Sequence, residues 1–430
     1  MKTVLGQTVI HVLILGFLPV TSIGAHSESL IGTQTAPDPA LTHPDTGHAM
    51  SRTAGLSGLT EPLAKRGIDV ALGSTNIYQT NIRNGLDTHG RSGRFSGSYD
   101  VEIAADLQAL AGLKGLSLFV HAEGGWPDTE GINESMVGSA FGVNADALGN
   151  RSIDVVEALV EWSLFRDRLT LTAGKVDTTC FFDTSEFAND ETIQFLNGAL
   201  VNNPTIPLPD YGLGVILSAR LTDRWTVTAG AVDAEADGRE TGFRTTFGGE
   251  DYFFYALETG LTTEWDSAGS PLTGNYRLGL WYDPQPKAHA DRDQEHRDDV
   301  GLYVSVDQML LWENDDPEDS QGLGLFARYG YADEKRNDVG GFWSVGLQCQ
   351  GLLEGRDSDV FALGFAQGVF SDAASAVFTA DHENVLELYY SAPIIPGLIL
   401  TPSIQYLSRP GGNCAVDDAL VVGLRVQAIF

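Results

Sequence analysis

Cysteine is scarce in this chain of 430 residues. The three cysteines, Cys180, Cys349 and Cys414, are too few for a disulfide framework, and at least one must be an unpaired thiol. They are far apart in sequence and lack the close spacing typical of zinc sites. We therefore expect neither a disulfide-stabilised fold nor a metal centre built on cysteine.

Positive charge is also in short supply. The chain has 26 Lys and Arg against 58 Asp and Glu, a formal net charge of -32. Nucleic-acid binding requires basic surfaces that neutralise phosphates, so we expect no nucleic-acid partner. An acidic surface instead favours solubility, attraction of cations, or partners bridged by divalent ions.

Long apolar runs and catalytic motifs are missing as well. No internal stretch approaches the roughly 18 apolar residues of a transmembrane helix, and the mean hydropathy is -0.07. The sequence contains no G-x-S-x-G, no H-E-x-x-H and no glycine loop followed by Lys-Ser/Thr. These absences predict no enzyme, no cofactor and no metal; a hydrolase built around His121 or His382 is the alternative that the spacing does not favour.

The N-terminus has the layout of a secretory signal. Met1-Lys2 precedes the apolar run "VIHVLILGFLPV" and the small residues "TSIGA", which predicts a signal peptide over 1–25 with cleavage near Gly24 or Ala25. Residues 26–66 are polar and proline-containing, and we expect a flexible periplasmic leader there. Within it, "LTEPLAKRG" (59–67) is compatible with one or two turns of helix.

From residue 67 onward, apolar and polar residues alternate. Tyr99, Val101 and Ile103, for example, alternate with Asp100 and Glu102. Period two places one set on each face of a β-strand. Runs of this kind predict about sixteen strands, at 68–79, 93–109, 115–126, 152–165, 168–177, 211–221, 224–233, 253–265, 273–283, 299–312, 322–332, 339–351, 357–370, 383–391, 398–407 and 419–430.

The connections between these strands indicate the fold. Short links at 110–115, 166–167, 222–223 and 393–397 alternate with long ones at 127–151, 178–210, 234–252, 284–298, 371–382 and 408–418. Outer-membrane barrels alternate short periplasmic turns with long extracellular loops, and about 9–11 tilted residues cross the bilayer. We therefore predict an all-β transmembrane antiparallel barrel over 67–430. Aromatic residues near strand ends fit an interfacial girdle: Trp126, Trp265, Trp312, Tyr282 and Tyr331.

If the apolar set faces lipid, the polar set lines the lumen. Acids, arginines and aromatic rings together suit neutral polyhydroxylated solutes, because charged groups hydrogen-bond hydroxyls and rings stack on sugar faces. The alternative is a generic wet wall whose charges only balance one another. The candidates are Asp100, Glu102, His121, Glu123, Glu157, Glu161, Glu258, Arg277, Trp281, Tyr303, Asp307, Arg328, Glu387 and Arg425.

Three connections stand out by length or composition. Segment 178–210 is the one expected to fold into the pore and narrow it, because a loop of this length usually has its own structure or a function; an ordinary surface loop is the alternative. Its candidate constriction residues are Asp183, Glu186, Asp190 and Glu191. The acidic stretches 312–322 and 283–299 lack the calcium-loop spacing, so we expect solvated loops.

Several segments resemble the OprB-type carbohydrate-selective porin family: "RGIDV", "GLSLFVHAEGGWPD", "VNADAL", "VVEALVEWSLFRDRLTLTAGKVDTTCFFD" and "FLNGAL". They occur in order over most of 65–430, most densely at 115–200. The resemblance implies a sixteen-stranded outer-membrane barrel that passes monosaccharides and related sugars by passive diffusion. It also implies a charged constriction of Arg and acidic residues with nearby aromatics.

The similar segments place Glu157, Lys175, Asp177, Phe187 and Asn197 on the strand and loop that the family shares. The resemblance thereby adds Lys175 and Asp177 to the pore-lining candidates. Members often have a Trp-containing stretch before the "RGI" element, whereas this chain reads "GLSGLTEP". The sequence does not place the family's sugar-contacting arginines on particular positions.

The leading functional prediction is thus a passive sugar porin in the outer membrane of a Gram-negative-type envelope. Its expected partners are small sugars, outer-membrane lipid and the barrel assembly machinery, with both mature termini toward the periplasm. The alternatives are a general or cation-preferring pore, a barrel that does not transport, and a secreted soluble β protein. The last segment, "LVVGLRVQAIF", alternates up to Phe430, and the resemblance implies that the assembly machinery uses such an aromatic terminus.

Overall fold

A closed barrel of sixteen antiparallel strands forms the body of the protein. In this computed structural model the described residues are 57–88, 93–126, 131–249, 252–267, 270–288, 295–314 and 320–430. The barrel strands are β1 (Ile68–Gly85), β2 (Gly93–Asp106), β3 (Leu116–Trp126), β4 (Arg151–Leu164), β5 (Leu169–Val176), β6 (Gly212–Thr222), β7 (Trp225–Asp233), β8 (Phe253–Ser267), β9 (Ser270–Asp283), β12 (Asp299–Trp312), β13 (Gly322–Ala332), β14 (Val339–Gln350), β15 (Val360–Phe370), β16 (His382–Ile395), β17 (Leu398–Ser408) and β18 (Asp417–Ile429).

The remaining elements are short. Strands β10 (Lys287–Ala288) and β11 (Glu295–His296) form a separate two-stranded sheet. The α-helices are α1 (Ser57–Ala64), α2 (Leu107–Ala111), α3 (Gly198–Val201) and α4 (Phe243–Phe247). No helix in the described part of the chain is long and apolar enough to cross a membrane.

Closure joins the first strand to the last. Strand β1 pairs with β2 on one side and with β18 on the other, in a register that sets Thr75 opposite Gln427 and Ile77 opposite Arg425. Each barrel strand from β2 to β17 pairs with the barrel strand directly before it and with the one directly after it. A closed sheet has no free edge, so its backbone hydrogen-bonding groups are paired even where no water reaches them.

The predicted sixteen-stranded barrel is confirmed, with local differences at strand ends. Strand β2 ends at Asp106 rather than 109, because the Asp106 carboxylate accepts hydrogen bonds from the backbone N–H of Gln108 (2.7 Å) and Ala109 (3.3 Å) and thereby caps α2. Strand β16 continues to Ile395, which reduces the expected link 393–397 to residues 396–397.

The two ends of the barrel differ in their connections. We call the end with 165–168, 223–224 and 396–397 the turn end, and the end with 127–150, 177–211 and 234–252 the loop end. The expected alternation of short and long links is not strict. The turn-end connections 313–321 and 351–359 are longer than the loop-end connection 333–338.

The outer face of the barrel is apolar. Large apolar side chains on alternate positions are exposed there, among them Tyr78, Ile103, Leu118, Trp162, Leu217, Leu257, Leu280, Leu347, Leu363 and Leu424. Tyr255 and Tyr282, on neighbouring strands near the loop end, stack with ring centroids 6.1 Å apart. An apolar belt with aromatic rings near its rim is the surface that a barrel presents to lipid.

Some sequence-based expectations fall outside the described residues. These are the signal peptide 1–25, the leader up to residue 56, and parts of the two acidic stretches at 289–294 and 315–319. Helix α1 at Ser57–Ala64 overlaps the stretch 59–67 that was expected to form one or two helical turns.

Candidate functional site

Two loop-end segments fold into the barrel. The first, here the long inner loop (177–211), buries Phe187, Phe195 and Leu200. Phe195 makes edge-to-face contacts with two inward side chains, Phe326 on β13 (centroids 5.6 Å apart) and Tyr389 on β16 (5.0 Å). Burial of these apolar side chains against β13–β16 is what draws the loop inward.

Inward-facing glycines accommodate this packing. A Cβ atom on Gly324 of β13 would lie 2.2 Å from Cζ of Phe187, and one on Gly364 of β15 would lie 2.9 Å from the ring of Phe195. The wall therefore has slots, formed by missing side chains, into which the phenyl rings of the loop fit.

Buried charges on the wall hold the backbone of the long inner loop. Glu387 of β16 accepts hydrogen bonds from the backbone N–H of Leu196 and Asn197, both at 2.9 Å. Arg328 of β13 donates to the carbonyl oxygens of Asp183, Leu200 and Val201 and to Asn189 Oδ1, at 2.9–3.1 Å. Arg425 of β18 donates to the carbonyls of Glu191 (2.7 Å) and Gln194 (2.9 Å).

The start of the long inner loop is held from β8 and β12. The Asp183 N–H donates to Glu258 Oε2 (2.9 Å), and Ser185 Oγ donates to Asp307 Oδ1 (2.6 Å). Burial raises the pKa of the Asp183 carboxyl to about 7, while Arg328, 3.5 Å away, acts in the opposite direction. Charge-assisted hydrogen bonds of this kind are the strong ones, so the loop is fixed at several points.

A second segment, here the short inner loop (131–146), also enters the barrel. The carbonyl oxygen of Val143 accepts hydrogen bonds from Gln79 Nε2 of β1 (2.8 Å) and Gln405 Nε2 of β17 (2.9 Å). The Ala145 N–H donates to the Leu196 carbonyl at 2.8 Å, which joins the two inner loops.

Glu383 of β16 holds the other side of the short inner loop. Its carboxylate accepts from the N–H of Ala140 (2.9 Å), from the N–H of Gly411 (2.7 Å) and from the Ser139 hydroxyl. The inward course of this segment is not among the sequence-based expectations, in which 131–146 is part of the long connection 127–151.

A row of acids and one histidine lies across β2, β3 and β4. His121 Nε2 is 3.2 Å from Asp100 Oδ1, and Nδ1 is 3.3 Å from Glu157 Oε2. Glu157 Oε1 in turn accepts from the N–H of Asp177, at the start of the long inner loop (3.2 Å). Both ring nitrogens of His121 face carboxylates, and both can donate a hydrogen bond only when the ring is the imidazolium cation. His121 therefore offsets the negative charge of Asp100 and Glu157.

The opposite polar side of the long inner loop is less covered. Glu186 is exposed to the barrel interior and accepts a hydrogen bond from Asn275 Nδ2 of β9. Asn275 Oδ1 accepts from Thr262 Oγ1 of β8 at 2.8 Å. Arg277, next along the inner face of β9, donates to Asp307 Oδ2 at 2.8 Å and keeps 17% of its side chain exposed. We call Thr262, Asn275, Arg277 and Glu186 the inner polar cluster.

Near β3 the charges are mostly acidic. Tyr211 OH donates to Glu123 Oε2 at 3.4 Å. Burial raises the pKa of Tyr211, and the carboxylates of Glu123, Asp177, Glu157 and Glu191 raise it further. Burial likewise raises the pKa of Asp146, and Glu191 adds to this effect. Glu191 of the long inner loop thus acts electrostatically on the β3 side of the barrel.

The structure places most candidate residues on the inward face. Inward positions on barrel strands are occupied by Asp100, Glu102, His121, Glu123, Glu157, Glu161, Glu258, Arg277, Trp281, Tyr303, Asp307, Arg328, Glu387 and Arg425. Many of them have their hydrogen bonds taken up by loop backbone. Buried atoms without a hydrogen-bond partner also occur among them, for example Glu161 Oε2 and Trp281 Nε1.

Lys175 does not lie in the lumen. It pairs with Ala158 and Leu213 on the outward side of β5, and its Nζ donates to the carbonyls of Gly238 (2.8 Å) and Glu240 (2.7 Å) in a loop outside the wall. Its predicted place in the lumen is therefore wrong. Alternation along β5 itself sets Lys175 on the same outward face as Leu171 and Ala173. The expectation of a lumen position rests on the family resemblance and not on this pattern.

The other candidates have structural surroundings of their own. Trp281 is buried against Phe254, and the ring of Tyr303 is buried with its hydroxyl donating to Glu258 Oε2 (2.8 Å). Asp177 and Asp190 cap local turns through Thr179 and Thr192. Among the constriction candidates, Asp183 is buried, Glu191 is half-buried and Glu186 is the exposed one.

No group of three or more His, Cys, Asp or Glu is arranged for metal binding within the described ranges. The inward glycines and glutamines, by contrast, contact the inner loops and are not among the residues predicted from the sequence. A signal was present: Gly324, Gly364 and Gly368 alternate with apolar outward residues, and glycine on the inner face of a strand marks a close approach by another segment.

A sixteen-stranded barrel with an apolar belt and an interior narrowed by inward loops defines an outer-membrane diffusion channel. The sequence profile described as "Carbohydrate-selective porin, OprB family" matches residues 90–430. The chain belongs to this family, and it is a carbohydrate-selective porin of the outer membrane.

Individual relatives agree with this assignment. The chain is 23% identical over 415 residues to Porin B of Pseudomonas aeruginosa, and the alignment covers 87% of this chain and 90% of the relative. The high-pH structure of Pseudomonas putida OprB superposes with a TM-score of 0.75 at 21% identity, covering 89% of this chain and 100% of that one. The channel DcaP of Acinetobacter baumannii has a TM-score of 0.51 at 12% identity, covering 85% and 98%. Both structures are similar in fold.

Proposed function

We propose that sugars cross this barrel past Glu186 of the long inner loop, along the inner polar cluster on β8 and β9. The observation that carries the proposal is the exposure of Glu186 on a loop whose apolar side chains are packed against the wall. Phe187, Phe195 and Leu200 pack into β13–β16. Phe182 and Ile206 pack into the wall at β6–β8. Glu186, by contrast, lies beside Asn275 and Arg277.

The inner polar cluster supplies the chemistry that a neutral sugar needs. Arg277 is a donor, Glu186 is an acceptor, and Asn275 and Thr262 are both. A sugar hydroxyl donates and accepts as well, so it exchanges water for these groups at little net cost. Passage then requires no conformational cycle and no energy source, and we propose passive diffusion without enzymatic chemistry.

The remaining assignments concern the surroundings of the barrel. Outer-membrane lipid covers the apolar belt, and the barrel assembly machinery inserts the chain. The turn end, with both mature termini, lies toward the periplasm, and the loop end lies outside the cell. Short turns on the periplasmic side are the usual arrangement in such barrels, which supports this orientation.

The proposal is tested by changing one neutral member of the inner polar cluster. We expect Asn275→Ala to weaken the interaction of a hexose with the channel roughly two- to tenfold, the effect of losing a hydrogen bond of about 0.5–1.5 kcal/mol. The measurement is the concentration of glucose that half-blocks ion current through single channels. Thr228→Ala, another inward polar residue on β7, is the matched control. An Asn275→Ala channel with an unchanged block would refute the proposed route.

A cation-preferring pore is the second candidate, and one observation favours it. Buried inward acids such as Glu123, Glu157 and Glu258 outnumber buried inward arginines, of which the described residues include Arg328 and Arg425. An acidic lumen raises the local concentration of cations. Reversal potentials in a salt gradient separate the two: strong cation selectivity together with no current block by sugars would favour this candidate.

A further inference from the structure

The loop at 234–249 turns outward and covers part of the outer wall, unlike the two inner loops. Asp233, at the outward position that ends β7, is fully buried, and Thr246 Oγ1 donates to its Oδ2 at 2.8 Å. Lys175, outward on β5, holds the carbonyls of Gly238 and Glu240. We call this segment the overhanging loop.

The overhanging loop also touches the outer face of β6. A Cβ atom on Gly242 would lie 2.8 Å from Cγ of Leu213, whose neighbour on the same outward face, Val215, is half exposed. Attachments on β5, β6 and β7 therefore fix the loop against the outside of the barrel. Its position is set by buried hydrogen bonds, so the side chains beyond them are presented in a defined direction.

The side chains presented are two phenyl rings. Helix α4 carries Phe243 and Phe247, which are 64% and 69% exposed, with ring centroids 6.4 Å apart. Residues four apart lie on one face of a helix, so the two rings form a single apolar surface. Leaving such rings in water forgoes the favourable free energy of burying them.

The level of this surface along the barrel indicates what covers it. Leu213, beneath the overhanging loop, is two residues from Val215 along β6, a distance of about 7 Å. Strand pairing sets Val215 level with Tyr255, which belongs to the stacked Tyr255–Tyr282 pair. The phenyl rings of α4 thus lie just beyond the aromatic rim of the apolar belt and continue it.

We infer that the overhanging loop is an interfacial anchor, and that Phe243 and Phe247 are covered by lipid of the outer leaflet. The surface is continuous with the belt that faces the bilayer, which is the reason for choosing lipid over a second copy of the chain. Arg239 and Arg244, both exposed on the same loop, fit the phosphates of lipid headgroups at this level.

Photo-crosslinking tests the inference. The benzophenone analogue of phenylalanine is introduced in place of Phe243 or Phe247, and the full chain is reconstituted in vesicles of phosphatidylethanolamine and phosphatidylglycerol. We expect lipid adducts, detected by intact mass, at a yield comparable with that of the same analogue at Leu217, which lies in the outward apolar belt. The analogue at Glu186, inside the barrel, is the control for background.

Two results would overturn the inference. Crosslinks that join two protein chains would show that a second copy of the chain covers the two phenyl rings. Lipid adducts no more frequent than those at Glu186 would show that the rings face water. A further variant, Lys175→Met, removes the attachment to Gly238 and Glu240 while keeping the length of the side chain. It should lower the yield of lipid adducts at position 247 and leave that at Leu217 unchanged, whereas equal yields at position 247 would count against the anchored geometry.

Discussion

Several inward residues of this barrel hold the backbone of the inner loops. Glu387, Arg328 and Arg425 each bond two or more backbone groups of the long inner loop. The carboxylate of Glu387 and the guanidinium of Arg328 are therefore anchors. Their loss should alter the pore by freeing the loop, not by removing a sugar contact.

Glu387→Ala is expected to leave the N–H groups of Leu196 and Asn197 without acceptors, at a cost of about 1–3 kcal/mol each. The long inner loop should then detach in part. Single-channel recordings should show a larger and noisier conductance, while the barrel stays resistant to heat in detergent. Glu354→Ala, an exposed acid in the connection 351–359, is the control and should behave as the wild type. A wild-type conductance in Glu387→Ala would argue against the anchoring role.

Gly324→Ala tests the slots in the wall. The added methyl group would lie 2.2 Å from Cζ of Phe187, a contact that requires the ring or the backbone to move. Overpacking of this kind costs about 1–3 kcal/mol, and we expect the long inner loop to be cut more readily by added protease. Gly341→Ala is the matched control, because a Cβ there meets only Val369 at 3.7 Å. Equal protease resistance in the two variants would mean that the slot is not needed.

At the scale of elements, the two inner loops form one unit. The Ala145 N–H bonds the Leu196 carbonyl, and Gln405 touches both loops, donating to Val143 O and accepting from Asn197 Nδ2 at 3.1 Å. Gln405→Ala should therefore loosen both loops, and its effect should not add to that of Glu387→Ala, since both act near Asn197. Conductance measured across the double-mutant cycle checks this, and strictly additive effects would show that the loops move independently.

Strands were predictable from the sequence because their signal is local. Alternation in β2, for example, places Tyr99 outward and Asp100 inward, and no distant residue is needed to read it. The inward course of the long loop was also expected. Its anchors were not, since Glu387 meets Leu196 across 191 residues of chain, and such contacts leave no periodic trace.

Other parts of the site were missed for the same physical reason. The inward turn of the short inner loop depends on Gln79, Gln405 and Glu383, which lie on three different strands. The surroundings of Lys175 depend on the carbonyls of Gly238 and Glu240, which are 63 and 65 residues away along the chain. Periodicity shows which face a residue should occupy but does not show whether solvent or a loop occupies the space beyond it.

At the scale of the whole molecule, closure between β1 and β18 defines the channel. Phe430 takes part in it through its backbone, since its N–H donates to Leu72 O at 2.9 Å, while its ring is exposed. We expect Phe430→Ala to lower the amount of protein assembled in the outer membrane and to leave sugar block of the assembled channels unchanged. Heat-modifiable mobility on gels measures assembly, with Leu424→Ala on the same outward face as control. Normal assembly of Phe430→Ala would remove this role for the terminal ring.

The central claim is that this porin passes sugars passively along a polar route beside the long inner loop. Liposome swelling tests it most directly, with purified protein in vesicles exposed to a hexose and to an uncharged solute of equal mass that has fewer hydroxyl groups. The account predicts faster swelling with the hexose, and loss of that preference in Asn275→Ala but not in Thr228→Ala. Equal rates for the two solutes in the wild-type protein, or no swelling with the hexose, would contradict it.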